Sequence, residues 1–291
     1  TSEASIARLK GYPQLADVPE YLNYKDMLEN EQLDAVQIAT PHTLHFPQAM
    51  DCLDKGLHVL LEKPMVCSVE HAKQLIAHAK LMNKVILLAY QRHYQPEFQY
   101  MKKVLDDGGL GEVTFISALQ CQNWKQLTMN TWRQVPELSG GGQLNDSGSH
   151  LLDIILWMTG LAVEEVNAYI DNRETPVDIN SALSLKFRNG AQGTVSVVGE
   201  APSWWEDITI WGEKGAFFMR SGQLTHMGPD GQPVEWDRNQ VGGSPDHNFI
   251  DAILGRAEIM APATCGLRTI ELTEAAWRSA DLKQPVKVDT L

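Results

Sequence analysis

Cysteine is scarce: Cys52, Cys67, Cys121 and Cys265 are the whole supply in 291 residues, and none forms a Cys-x-x-Cys pair. That excludes a zinc knuckle and a dithiol redox motif, and fits the reduced thiols of a cytoplasmic protein. Basic charge is short as well, with 24 Lys and Arg against 37 Asp and Glu, a net charge of −13. A nucleic-acid partner would ask for a basic face, so that class is set aside. No apolar run approaches the roughly 18 uncharged residues that a membrane span needs. Thr1-Ser2-Glu3-Ala4-Ser5 lacks the basic and apolar regions of a secretory leader. The expected setting is cytoplasmic, with neither membrane nor nucleic acid as partner.

The first third alternates strands and helices. Apolar runs at 33–40, 58–62 and 85–89 read as buried strands, and helical spacing fills 45–55 and 68–82 between them. Ser68 suits an N-cap. Strands separated by helices predict a parallel sheet with right-handed crossovers. After Gly111 the texture changes, with strands expected at 113–121, 179–188, 192–198 and 207–211. Arg188-Asn189-Gly190 is a hairpin signal, and Leu183, Leu185 and Phe187 should share one face. Helices return at 149–158, 245–254 and 267–280. The fold class is therefore α/β followed by α+β. A Rossmann-type parallel-sheet domain (1–110) precedes a domain with a large open, mainly antiparallel sheet (111–291), and the helix 267–280 is free to pack back on the first.

Two motifs carry chemistry. Glu62-Lys63-Pro64 closes the strand at 58–62, and a cation at the carboxyl end of a buried parallel strand stands where ligands bind in such sheets. Gly140-Gly141-Gly142-Gln143-Leu144-Asn145-Asp146-Ser147-Gly148-Ser149-His150 then leads into a helix. His150 falls in the first helical turn, whose dipole disfavours imidazolium, so it can serve as a neutral base. Asp146, four residues earlier, can reach the same face to fix the imidazole tautomer or hold a hydroxyl. Lys63 can stabilise a developing alkoxide. His42-x-x-His45 has no third ligand at sensible spacing, so no metal is expected. Ser147 and Ser149 have no nucleophile elbow around them.

In order and spacing these segments resemble the glucose–fructose oxidoreductase / inositol dehydrogenase (Gfo/Idh/MocA) family. The residues that carry the resemblance are Asp34-Ala35-Val36 to Thr40-Pro41-His42 and His45, Gly56-Leu57-His58-Val59 to Glu62-Lys63-Pro64, and the triple glycine through Asp146 to His150 and Gly160. It implies NAD or NADP as cofactor and hydride transfer to or from one carbon of a sugar, inositol or related polyol. It places Lys63, Asp146 and His150 at the reacting hydroxyl. Thr40, Pro41, His42 (where the family usually has Asn), His45, Glu62, Lys63 and Gln91 are placed beside the cofactor. Trp132 and Arg133 suit a cap over the substrate pocket, with Arg92 and His247 as further substrate contacts. It also implies a homodimer or homotetramer built through the open sheet, with Ile208, Ile210 and Trp211 contributing.

One expected part is not found. No Gly-x-Gly-x-x-Gly occurs anywhere, and Thr1 to Leu9 reads as the helix that follows a Rossmann fold's second strand, so the first β-α-β is expected to be missing. Two alternatives stay open beside the dehydrogenase: a cofactor-free binding or assembly relative, and an NAD-dependent glycosidase.

Overall fold

The computed structural model describes residues 3–9, 12–238 and 242–288, so Thr1 and Leu291, the outer ends of the two expected domains, lie outside the described residues. Strands β1 (Ala35–Ile38), β2 (His58–Leu61) and β3 (Ile86–Leu88) pair in parallel in the order β1-β2-β3. Helices His45–Asp54 and Val69–Leu81 make the crossovers. The Ser68 side chain accepts from the His71 N–H at 3.2 Å, so the predicted cap forms. Both faces of this sheet are covered, as a parallel sheet requires. Val59, Leu61, Ile86 and Leu88 pack in one core with Leu53, Leu75, Leu267 and Ile270. Leu60 and Leu87 pack on the other side against Phe249 and Ile253 of helix Pro245–Ile253.

The chain continues through helix Pro96–Asp106 into nine strands. They are β4 (Val113–Cys121), β5 (Val163–Asp171), β6 (Asn180–Phe187), β7 (Gln192–Val198), β8 (Trp205–Gly212), β9 (Gly215–Arg220), β10 (Gln223–Met227), β11 (Pro233–Val234) and β12 (Val286–Lys287). Their order is β11-β10-β9-β8-β4-β7-β6-β5-β12, and each neighbouring pair is antiparallel except β4 with β7. Helices Gly148–Thr159 and Ala263–Leu282 pack on one face, and Leu183, Leu185 and Phe187 point into that core as expected. The other face is open and carries exposed aromatics: Tyr169, Trp205 and Trp211. Ile208 and Ile210 are not part of it. Strand alternation turns them inward and both are fully buried, so of the three residues expected on the open face only Trp211 lies there. No helix among the described residues is long and apolar enough to cross a membrane.

Helix Ala263–Leu282 supplies Leu267 and Ile270 to the parallel-sheet core and Leu272, Ala275 and Ala276 to the other. It therefore binds the two sheets into one packed body. Between them lies the loop that carries the candidate site.

Candidate active site

The carboxyl ends of the three parallel strands lead to Thr40-Pro41, Glu62-Lys63 and Tyr90-Gln91, the edge where open α/β sheets bind ligands. The loop between helices Pro136–Ser139 and Gly148–Thr159 brings Asp146 to this edge. Lys63 Nζ donates to Asp146 Oδ1 at 2.7 Å and to the Asp146 carbonyl at 3.1 Å. The second carboxylate oxygen, Oδ2, accepts from Trp124 Nε1 at 2.8 Å and Arg133 Nε at 3.1 Å. Burial alone would raise the Asp146 carboxyl. The Lys63 ammonium overrides it, helped by the Trp124 hydrogen bond, and the group is held well below the usual carboxylate range. Asp146 is thus ionised, with one side-chain donor on Oδ1 and two on Oδ2.

The His150 ring makes no hydrogen bond to a described residue, and its Nδ1 is buried without a partner. The expected bond by which Asp146 would fix its tautomer is not formed: the Asp146 carboxylate turns to Lys63, Trp124 and Arg133 instead. His150 sits in the first turn of its helix and is half-buried, with Nε2 as the nitrogen left accessible. Its neighbour is the edge of Tyr90, at 5.9 Å between ring centres. Burial first, then the charges of Lys63 and Arg92, lower its pKa well below the usual histidine range.

His42 and His45 brace the strand ends through backbone carbonyls. His45 is fully buried, with Nδ1 on the Pro64 carbonyl at 2.8 Å and Nε2 on the Thr40 carbonyl at 3.0 Å. It ties the exit of β1 to the exit of β2 and has no surface for a ligand. His42 is also buried, with Nδ1 on the Ser139 carbonyl at 3.1 Å and its ring edge-on to Trp132 at 4.7 Å. Arg133 lies over Trp132 at 4.4 Å, so these two residues stand at the site as expected. Arg92 turns to the large sheet and pairs with Glu206 Oε2 at 2.5 Å. Glu62, half-buried, accepts from the Lys63 N–H at 3.3 Å, and Gln91 is exposed. His247 is not brought to the site. It lies in the first turn of helix Pro245–Ile253, exposed and bonded to Ser244, and that helix covers the parallel sheet.

Three groups escaped the sequence reading. Trp124 closes the carboxylate of Asp146. Asp178 accepts from the Gly142 and Leu144 N–H groups at 2.9 and 2.7 Å. His93 and Asp153 form a fully buried pair at 2.7 Å behind Tyr90, whose ring stacks on His93. No motif announces such residues, since each gains its meaning from a partner far along the chain.

The buried imidazoles make stability depend on pH. Burial is the first cause that lowers His150 and His45, and it takes His42 down to about 3. A histidine depressed in the folded state holds fewer protons there than in the unfolded chain. Its contribution is full above about pH 6.5 and is lost as pH falls below that value. His42 alone accounts for about 2 kcal/mol at pH 5. Asp153 and Asp178, whose carboxyls burial pushes up, act in the opposite sense. Comparison with His42→Gln isolates the histidine part: between pH 7 and pH 5 the variant should lose about 2 kcal/mol less in urea unfolding. An identical decline would contradict a buried neutral His42.

Comparison with known proteins follows the same division. Residues 2–90 match the oxidoreductase family with an NAD-binding Rossmann fold, and residues 98–218 match the GFO/IDH/MocA C-terminal domain. Oxidoreductase P35 of Formosa agariphila is 30% identical over 200 residues, 67% of this chain and 61% of that protein. D-xylose 1-dehydrogenase (NADP+) of Haloarcula marismortui is 24% identical over 283 residues, 92% of this chain and 78% of that protein. The match thus spans about three fifths of the length of the first of these relatives. The crystal structure of the WlbA dehydrogenase from Bordetella pertussis, in complex with NADH and UDP-GlcNAcA, superposes with a TM-score of 0.87 at 23% identity, covering 100% of this chain and 89% of that one. That last likeness is one of fold. The chain belongs to the Gfo/Idh/MocA family of NAD(P)-binding oxidoreductases.

Proposed function

We propose that this chain carries the reacting half of a dehydrogenase or reductase that moves a hydride between NAD or NADP and one carbon of a sugar, inositol or related polyol. The observation that carries the reading is the buried Lys63–Asp146 pair at the strand ends, beside a His150 whose ring no described residue hydrogen-bonds. Thr40, Glu62, Lys63 and Gln91 ring those ends with partly or fully exposed polar groups, a donor set that fits the nicotinamide half of a dinucleotide. The 291 residues contain no glycine loop for the pyrophosphate. When bound, the cofactor accepts or returns the hydride. His150 takes the hydroxyl proton at Nε2, and its depressed pKa keeps that nitrogen free at neutral pH. Lys63 holds the negative charge that grows on the oxygen. Asp146 keeps Lys63 in place, with Trp124 and Arg133 fixing the carboxylate in turn. The open face with Tyr169, Trp205 and Trp211 is the surface offered to a second copy.

A titration with NADH and NADPH tests this first, followed by nicotinamide emission and by quenching of the 8 Trp residues. Saturable binding of one of them, strengthened by a cyclic or open-chain polyol, is the expected result. A folded chain that binds neither would overturn the reading for these 291 residues.

A further inference from the structure

We infer that Asp178 is a positioning residue, the clamp that sets the glycine loop and through it the place of Asp146; this rests on the function proposed above. The loop from Gly140 to Asp146 has no helix or strand to satisfy its backbone. Three consecutive N–H groups instead converge on one residue from another part of the chain. Gly142 N donates to Asp178 Oδ1 at 2.9 Å, Gln143 N to the Asp178 carbonyl at 2.8 Å, and Leu144 N to Oδ2 at 2.7 Å. Trp277 Nε1 adds a fourth donor to Oδ1 at 3.1 Å. Asp178 is only 6% exposed, so the loop has little water to fall back on.

The approach is as close as the chemistry permits. A Cβ at Gly142 would lie 2.0 Å from the Asp178 carbonyl oxygen, so a side chain there would push the loop off its clamp. Gly142 then passes the constraint onward: its carbonyl accepts from the Asp146 N–H at 3.0 Å, and the Gln143 carbonyl accepts from Gly148 N at 2.8 Å. Asp146 in turn presents both its carbonyl and its carboxylate to Lys63. One carboxylate thus fixes the partner of Lys63 without touching it. Only an ionised carboxylate offers acceptors on both sides, whereas an amide places an NH2 group against one of the donors.

The test is Asp178→Asn, read in two ways. The Trp124 indole proton, bonded to Asp146 Oδ2, reports the place of Asp146 without any need for activity. Its exchange with solvent should quicken at least about tenfold while the amides of β6 and β7 keep their protection. In polyol turnover, kcat should fall roughly 100-fold with KM nearly unchanged. In an Asp146→Ala background the same substitution should cost almost nothing further, because its effect passes through Asp146. An unchanged Trp124 proton in Asp178→Asn, or losses that multiply in the double variant, would overturn the assignment. A parent chain that turns over no polyol would sink the proposed activity alone, and the Trp124 proton would still decide the clamp. Should Asp178→Asn not fold, Trp277→Phe removes a single donor and should move the Trp124 proton in the same direction; no movement there would overturn the clamp as well.

Discussion

Replacing Lys63 by Ala should lower turnover of a polyol substrate by about 1000-fold while leaving the chain folded. Both halves follow from the geometry. Lys63 Nζ is the ammonium at the strand end, and its two bonds to Asp146 hold it there with only 15% of its side chain exposed. Its loss removes the charge that would stabilise an alkoxide. The carboxylate of Asp146 is not stranded, because Trp124 and Arg133 still occupy Oδ2 and His42 Nε2 stands 3.6 Å from Oδ1. The expected thermal midpoint therefore moves by a few degrees only, whereas kcat collapses. Turnover within a factor of about three of the parent would show that Lys63 is a structural partner of Asp146 and nothing more.

Replacing His93 by Leu should be the most damaging change to stability, by about 3–5 kcal/mol. His93 and Asp153 are almost fully buried, 0% and 1% exposed in their side chains. His93 Nδ1 is bonded to the Met260 carbonyl at 2.8 Å, and Trp157 stacks on the ring at 4.2 Å. Both ring nitrogens thus face oxygens that accept, and removing the imidazole leaves the carboxylate of Asp153 buried without its partner. Burial already pushes that carboxyl up despite the His93 bond. The double variant His93→Leu, Asp153→Leu should recover much of the loss, since no charge then remains to be compensated. Urea unfolding of the two single variants and the double one gives the answer. A loss below about 1 kcal/mol in His93→Leu would mean that the pair is not a buried anchor. Cys265 lies in the same buried cluster, its sulfur within 4.8 Å of the facing His93 and Asp153 atoms.

The same residues show where sequence legibility ends. The parallel strands and their crossovers were readable because near-continuous apolar runs and helical periodicity coincide with caps such as Ser68. The core-facing side of β6 was readable because Leu183, Leu185 and Phe187 alternate cleanly. Strand β5 was not read, since Glu164 and Glu165 stand in it and a register shift between Val163 and Glu165 breaks the alternation. Strand β12 is two residues long and has no period to detect. Within the site, Lys63 and Asp146 were legible through their motifs and do meet. The partnership expected between Asp146 and His150 was not found, because spacing along a helix says nothing of competitors from elsewhere. Lys63, Trp124 and Arg133 reach the carboxylate from 83, 22 and 13 residues away. The resemblance places His42 and His45 beside the cofactor, but no spacing shows that both His45 nitrogens and His42 Nδ1 meet backbone carbonyls.

The helix Ala263–Leu282 has a consequence for how the chain is born. It gives Leu267 and Ile270 to one core and Leu272, Ala275 and Ala276 to the other, so neither is complete without this one helix. On a ribosome strands β1 to β3 are made before this helix, and their core lacks Leu267 and Ile270 until about 180 residues beyond β3 have been added. Until that helix is made, both cores stand open to chaperones and proteases, and the two sheets close almost together, under a single latch.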